Sequence, residues 1–110
     1  MLYFIEVVLP LAVSKTFTYQ VSEAEFHYIQ IGMRVAVPFG KTKIFTALVL
    51  DKTNTPPQLY EAKEIHQILD EKPVVNPHQI EHWKWIASYY MCALGEVFRS
   101  ALPSGYILES

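Results

Sequence analysis

The chain has 110 residues, of which 51% are hydrophobic and 14% aromatic, so it is long enough for one domain with a buried core and too short for two. Its formal net charge of -2 excludes a protein that holds duplex DNA through many phosphate contacts, because such binding needs clustered lysine and arginine. The sequence shows no membrane-spanning apolar run, no secretory leader and only one cysteine, so we expect a cytoplasmic protein without an internal disulfide.

The first 70 residues are predicted to form strands, because runs rich in β-branched and aromatic residues alternate with turn formers. Gly32 and Gly40 mark tight turns, and the sequence GKTK at 40–43 is predicted to close a hairpin. Residues 53–61, rich in proline, asparagine and threonine, are predicted to form an exposed loop. The five predicted strands are 2–9, 17–21, 33–39, 44–51 and 62–70.

The last third of the chain changes to a helical period. A helix over 76–91 is predicted to begin with Asn76 as its N-cap, Pro77 as its first residue and Gln79 returning the capping hydrogen bond. Its apolar residues recur at intervals of three and four, which predicts a stripe that lies on the sheet. The stripe consists of Ile80, Trp83, Ala87, Tyr90, Met91 and Leu94.

A second short helix is predicted over 96–102, after an interruption at Gly95 and before a stop at Pro103. The tail 104–110 is apolar and carries no stop signal, which is typical of a chain that continues. The predicted fold class is therefore α+β, mainly β: a small curled five-stranded sheet or partly open barrel followed by two C-terminal helices packed on it. We expect a single domain over 1–110, with a β-rich barrel at 1–75 and a helical part at 76–103.

Histidines are the candidate metal ligands. His78 and His82 lie one helical turn apart and His66 could approach them, but a metal site needs three or four ligands with matching geometry. A solvated helix face is the favoured interpretation of this pair, and no metal is expected.

Serine and cysteine are the candidate catalytic nucleophiles of the chain. The serines and Cys92 have no paired acid and base around them, and FGKTK at 39–43 lacks the spacing of a nucleotide-binding P-loop. We therefore expect that this chain is not an enzyme.

Aromatic and basic residues offer a binding hypothesis. Phe17, in SKTFTYQV at 14–21, is either a core residue or a ring presented for stacking. Residues 14–43 carry four basic side chains against two glutamates, which gives this segment a charge of +2 and favours a modest positive rim. A solvated rim with no partner is the alternative, because a surface of mixed charge is the ordinary case. Trp83 is predicted to be core.

Four segments occur in the order and at about the spacing of a known family. The chain resembles the N-terminal 3′ DNA-end-binding domain of primosomal replication-restart helicases, the PriA family, also called primosomal protein N′. The match covers nearly the whole chain. The segments are VVLPLAVSKTFTYQV (7–21), IGMRVAVPFGKTK (31–43), AKEIHQILDEKPVV (62–75) and WIASYYMCALGEVFRSALP (85–103).

The resemblance implies a piece of a larger ATP-dependent 3′-to-5′ DNA helicase, whose motor, zinc-binding and winged-helix portions lie beyond Ser110. ATP, Mg²⁺ and Zn²⁺ would then belong to the parent protein, with no cofactor in this chain. The implied function is binding of the 3′ terminus of single-stranded or nascent leading-strand DNA at stalled or branched forks, without sequence specificity. This binding would orient the helicase for replication restart and primosome assembly. The implied partners are fork DNA, the remaining helicase domains, single-strand-binding protein and other primosome proteins.

The resemblance also implies a nucleotide pocket made of Phe17, Thr18, Gly40 and Lys63. An aromatic face accepts any base, with stacking worth ~1–3 kcal/mol per base. Gly40 allows close backbone approach, and Lys63 can close the pocket or pair with a phosphate. The family commonly has an aspartate where this sequence has Thr18, which predicts weaker selectivity for a free 3′ hydroxyl over a 3′ phosphate than an aspartate would give. Candidate phosphate contacts are Lys15, Lys41 and Lys43.

The alternative hypothesis is a protein-docking module. In that interpretation an exposed face with Trp85 and Tyr89 packs on the helicase motor or on partner proteins, and the domain itself does not recognise DNA ends.

Overall fold

The computed structural model describes residues 1–58 and 60–102, which form one antiparallel sheet and three helices. The five strands lie in the order β2-β1-β4-β3-β5, and the sheet is not closed by a continuous ladder. The predicted α+β class is confirmed. The elements are β1 (Tyr3–Val8), β2 (Phe17–Val21), α1 (Glu23–Tyr28), β3 (Arg34–Phe39), β4 (Lys43–Thr53), β5 (Gln67–Ile68), α2 (Pro77–Tyr89) and α3 (Leu94–Ala101).

Strand β4 is the centre of the sheet and pairs with β1 on one side and β3 on the other. Its side chains alternate between two buried clusters, as the period of two in a strand requires. Ala47 and Val49 belong to an inner cluster on one face of the sheet, whereas Leu48 belongs to a cluster shared with helices α2 and α3 on the other face. Both faces of β4 are therefore buried, which explains its nearly continuous apolar sequence.

The segment before β5 contacts both β2 and β3, two strands that are not neighbours in the sheet. The Gln20 amide donates to the Lys63 carbonyl at 2.8 Å, and the Ile65 amide donates to the Gln20 carbonyl at 3.3 Å. One residue further on, the His66 amide donates to the Ala36 carbonyl of β3 at 2.7 Å. The predicted strand 62–70 is wrong in its length, because its first half meets β2 through a single parallel bridge and only Gln67–Ile68 forms a ladder.

Helix α2 begins as predicted. The Asn76 side chain accepts from the Gln79 amide and the Gln79 side chain accepts from the Asn76 amide, both at 2.8 Å, and Pro77 is the first helical residue. The prediction for the end of the stripe is wrong. The helix ends at Tyr89, so Tyr90 and Met91 are 69% and 92% exposed and do not lie on the sheet.

Helix α3 begins at Leu94, two residues earlier than predicted, and Gly95 lies inside it rather than interrupting it. A β-carbon on Gly95 would be 2.1 Å from the Leu9 carbonyl oxygen, so glycine allows the helix to approach the chain after β1. Helix α1 was not predicted, although Ser22 and Glu25 form a capping box that signals its start. The predicted stop at Pro103 and the tail 104–110 lie outside the described residues.

Within the described ranges, none of the three helices has the length and apolar character needed to cross a membrane.

Two turn glycines provide a matched test of the backbone. Gly32 has φ +95 and a β-carbon there would lie 1.9 Å from the Val75 carbonyl oxygen, whereas Gly40 has φ +71 and open space around it. We expect Gly40→Ala to lower the free energy of unfolding by about 1–2 kcal/mol, the cost of left-handed backbone alone. Gly32→Ala should cost distinctly more, because backbone must move as well. Urea unfolding of both variants measures the difference, and equal costs would contradict this account of Gly32.

Candidate nucleic-acid interface

One cavity of about 250 Å³ lies where β2 begins, beside the turn between β3 and β4 and the segment before β5. The structure brings together in it all four residues predicted for a nucleotide pocket, and Lys15 as well. The other two candidate phosphate contacts are Lys41, on the turn, and Lys43, the first residue of β4; both are exposed and neither lines the cavity. The lining residues are Lys15, Phe17, Thr18, Tyr19, Pro38, Phe39, Gly40, Tyr60, Glu61 and Lys63.

Phe17 is both a core residue and part of the cavity wall. Its ring is partly buried and meets Phe39 edge to face, with 5.3 Å between centroids, and Phe39 meets buried Phe45 in the same way at 5.8 Å. The Lys15 ammonium lies 5.1 Å from the centroid of the Phe17 ring, within the range of a cation–π contact. The core therefore fixes the orientation of a ring that stays accessible from the cavity.

Lys63 and Gly40 connect two walls of the cavity. The Lys63 ammonium donates to the Gly40 carbonyl at 3.0 Å, so the segment before β5 is tied to the turn between β3 and β4. Gly40 has a positive φ, which the tight three-residue connection between Phe39 and Lys43 requires. Because Lys63 is exposed and an ammonium has three donors, two donors remain for a ligand.

Thr18 contributes through its backbone. Its amide points away from β1 and donates to the Tyr60 hydroxyl at 2.8 Å. Neighbouring Phe17 and Tyr19 pack with the inner cluster, so strand alternation directs the Thr18 side chain to the opposite face.

Several wall residues were not found from the sequence. Tyr60 and Glu61 stand at the end of the predicted exposed loop 53–61, where no local pattern indicates a long-range contact with β2. Tyr19 donates its hydroxyl to the Pro38 carbonyl at 2.8 Å, and burial, with a smaller contribution from Tyr60, raises the pKa of Tyr19 to about 12. The hydroxyl therefore stays protonated at neutral pH and holds the end of β3 against β2.

The remaining aromatic residues divide between the core and an exposed surface. Trp83 is buried and packs against Phe98, as predicted for a core residue. Outside the core, four side chains of α2 and its end form what we call the aromatic ladder. The ladder consists of His82, Trp85, Tyr89 and Tyr90, with consecutive ring centroids 6.0, 5.2 and 5.0 Å apart.

His82 stacks on Trp85. Among the residues that the structure describes, no three histidine, cysteine, aspartate or glutamate side chains are grouped so that they could hold a metal ion.

The family model described as a 3'DNA-binding domain (3'BD) of PriA matches residues 6–103. Three similar curated proteins are named replication restart protein PriA. The one from Treponema pallidum (strain Nichols) is 27% identical over 104 residues, which cover 91% of this chain and 16% of that protein. The one from Haemophilus influenzae (strain ATCC 51907 / DSM 11121 / KW20 / Rd) is 42% identical over 78 residues, 68% of this chain and 10% of that protein.

A third relative, from Buchnera aphidicola subsp. Acyrthosiphon pisum (strain APS), is 28% identical over 112 residues, 96% of this chain and 15% of that protein. The chain thus spans 16% or less of the length of these three relatives. Because the family model covers most of the chain, the match does not depend on one short motif. The chain belongs to the family of PriA 3′ DNA-binding domains.

Proposed function

We propose that this domain binds the 3′ terminus of single-stranded or nascent leading-strand DNA at stalled or branched replication forks, without sequence specificity. The observation that carries the proposal is the cavity that gathers Phe17, Thr18, Gly40 and Lys63 from three separate parts of the chain. Its volume of about 250 Å³ lies just below the ~300–1,000 Å³ usual for small-molecule sites. A cavity of that size has room for one terminal nucleoside.

Stacking on Phe17 supplies the part of the binding that ignores sequence. Every base has a π-face, and stacking on an aromatic side chain is worth ~1–3 kcal/mol per base. Since Phe39 already holds the Phe17 ring edge to face, little side-chain freedom is lost when a base stacks on it. A pre-oriented ring therefore favours binding of any terminal base.

Two lysines supply the phosphate contacts of this proposal. Lys15 and Lys63 both line the cavity, and Lys63 keeps two donors beyond the one it directs at Gly40. Lys41 lies on the exposed turn beside the cavity and Lys43 begins β4, where both could meet phosphates of the preceding nucleotides. Because one end needs only a few such contacts, DNA binding is compatible with a chain charge of -2.

The relatives are named replication restart proteins, and the proposal extends to that context. The chain would be one domain of a longer protein. There it would hold the nascent 3′ end and so orient an ATP-dependent 3′-to-5′ DNA helicase for replication restart and primosome assembly. ATP, Mg²⁺ and Zn²⁺ would be bound outside this chain. The remaining helicase domains, single-strand-binding protein and other primosome proteins would be its partners, in the cytoplasm.

The test compares a fluorescent oligonucleotide that has a free 3′ end with the same sequence as a closed circle. We expect the linear probe to bind more tightly, and Phe17→Ala to remove most of that difference through loss of ~1–3 kcal/mol of stacking. Phe26→Ala is a matched control, because Phe26 is also a partly buried ring with a lysine over it, Lys52 at 4.8 Å, but lies outside the cavity. Fluorescence anisotropy measures the affinities for both probes. Equal affinity of the unchanged chain for the linear and the circular oligonucleotide would refute the proposal.

Salt dependence tests the phosphate contacts. Each lysine that displaces one counterion from single-stranded DNA contributes ~0.7 to the slope of log K against log salt concentration. Lys63→Gln should reduce the magnitude of this negative slope by about that amount. The control is Lys84→Gln, because Lys84 is exposed on α2 away from the cavity, and it should leave the slope unchanged. If Lys84→Gln lowers the slope as much as Lys63→Gln, binding is distributed over the surface and the cavity is not its site.

The aromatic ladder favours a second candidate function, docking on protein. Trp85 and Tyr89 are 59% and 66% exposed and stack on each other away from the cavity, so they are available for a partner. The candidate partner is the motor portion of a PriA protein. Trp85→Ala should weaken association with that purified motor portion in a titration and leave the affinity for linear DNA unchanged. Loss of DNA binding in Trp85→Ala would show that the ladder belongs to the DNA interface instead.

A further inference from the structure

A second groove lies next to the cavity, and we call it the loop groove. Its volume is about 280 Å³, and it lies between the loop that joins β1 to β2 and the start of α3. Lys15 lines both the loop groove and the cavity, and Thr16 of the groove directly precedes Phe17 of the cavity. The two sites are therefore adjacent, with Lys15 at their boundary. The residues that line the loop groove are Val8, Val13, Ser14, Lys15, Thr16, Cys92, Ala93 and Leu94.

Contacts between the β1–β2 loop and α3 fix the shape of the loop groove. Gly95 lets α3 approach the loop closely, because a β-carbon there would lie 2.1 Å from the Leu9 carbonyl oxygen. The Arg99 guanidinium donates to the Pro10 carbonyl at 3.5 Å. Within the loop, the Leu11 amide donates to the Leu9 carbonyl at 2.8 Å. These contacts do not depend on a ligand, so the groove is preformed and little ordering is needed to fill it.

The loop groove combines apolar and polar side chains. Val13 is 36% exposed and Leu94 is half-buried, so a base in the groove would cover apolar surface. The exposed Ser14 hydroxyl can donate to a phosphate, and the Thr16 oxygen, whose proton is donated to Glu6 at 2.9 Å, can accept from a base. This combination suits a nucleotide, which joins a flat base to a charged phosphate.

Charge favours the loop-groove side of the cavity for the rest of a bound strand. Glu61 and Lys63 share one wall of the cavity, so their charges offset each other there. The turn lysines, Lys41 and Lys43, line neither the cavity nor the loop groove. Lys15 lines both, and none of the described residues that line the groove is acidic. The Lys15 side therefore combines positive charge for a phosphate with space for a base.

We propose that the loop groove binds the penultimate nucleotide, so that the domain holds two consecutive nucleotides of one strand. This inference rests on the proposed function, since it requires the strand end to lie in the cavity. The phosphate between the two nucleotides meets Lys15, and the penultimate base covers Val13 and Leu94. A base inside the groove cannot be paired at the same time. The ligand class is therefore a DNA end with at least two unpaired nucleotides.

The experiment compares four fluorescent oligothymidines by anisotropy. One is linear and intact, one lacks the penultimate base, one lacks a base near the 5′ end, and one is circular. Removal of the penultimate base should weaken binding by about three- to tenfold, because apolar contact with the groove is lost. Removal of the base near the 5′ end should leave the affinity unchanged, since that base reaches neither the cavity nor the groove.

The deciding variant is Val13→Asp, which puts a charge into the loop groove without changing a residue of the cavity. It should bind the intact strand more weakly and bring the affinity ratio of the intact strand to the strand without its penultimate base close to one. Ile31→Asp is the matched control, because Ile31 is also 36% exposed but lines neither site, and it should keep the original ratio. Both substitutions change the net charge equally.

A second variant covers the case in which Val13→Asp does not fold. Val13→Thr keeps the shape of the side chain and makes it more polar, so it should lower the same affinity ratio in part. Circular dichroism checks that each variant is folded. If Val13→Asp is unfolded, an unchanged ratio in Val13→Thr refutes the role of the loop groove.

The outcomes separate the two proposals. Equal affinity of the unchanged chain for the linear and the circular strand refutes end binding, and the loop-groove proposal with it. Preference for the linear strand, combined with no effect of removing the penultimate base, refutes only the loop-groove proposal. An affinity ratio that Ile31→Asp lowers as much as Val13→Asp does has the same meaning, because general charge would then be the cause.

Discussion

The backbone pairing of the segment before β5 is the constraint on which the cavity depends. This segment exchanges hydrogen bonds with Gln20 of β2 and then with Ala36 of β3, so it bridges the two sides of an open sheet. Without the bridge, this wall of the cavity would be held only by the side-chain hydrogen bonds of Tyr60 and Lys63. Backbone hydrogen bonds at the outer edge of β2 thus satisfy an otherwise unpaired strand edge and build one wall of the cavity at the same time.

The opposite wall takes its rigidity from the core. Edge-to-face contacts run from Phe17 through Phe39 to buried Phe45, and the Tyr19 hydroxyl joins β2 to the carbonyl of Pro38. A ring at the end of such a chain is held on one side by close-packed atoms and exposed on the other. This arrangement explains why Phe17 can be both a core residue and a candidate binding residue, since part of its ring packs against Phe39 and the ring also lines the cavity.

Much of the fold followed from local patterns in the sequence. Strands β1 to β4 and the capped start of α2 at Asn76 depend on residues close together in the chain, where propensity and capping decide the outcome. The shortened β5, and the cavity wall of Tyr60 and Glu61, depend on contacts with β2 about 40 residues away, which no local pattern encodes. The four residues Phe17, Thr18, Gly40 and Lys63 came from a family resemblance, not from chemistry visible in the sequence.

An acidic domain can bind DNA because its net negative charge and the positive charges of its cavity lysines act at different distances from the ligand. The overall charge of -2 acts over the surface and is screened beyond about 10 Å at 0.1 M salt, whereas Lys15 and Lys63 line the cavity and would meet a bound strand at contact distance. A weakly acidic surface discourages lengthwise binding to a strand, which would compete with binding at its end. The distribution of charge therefore agrees with the proposed recognition of a terminus, for which the cavity would supply the few contacts needed.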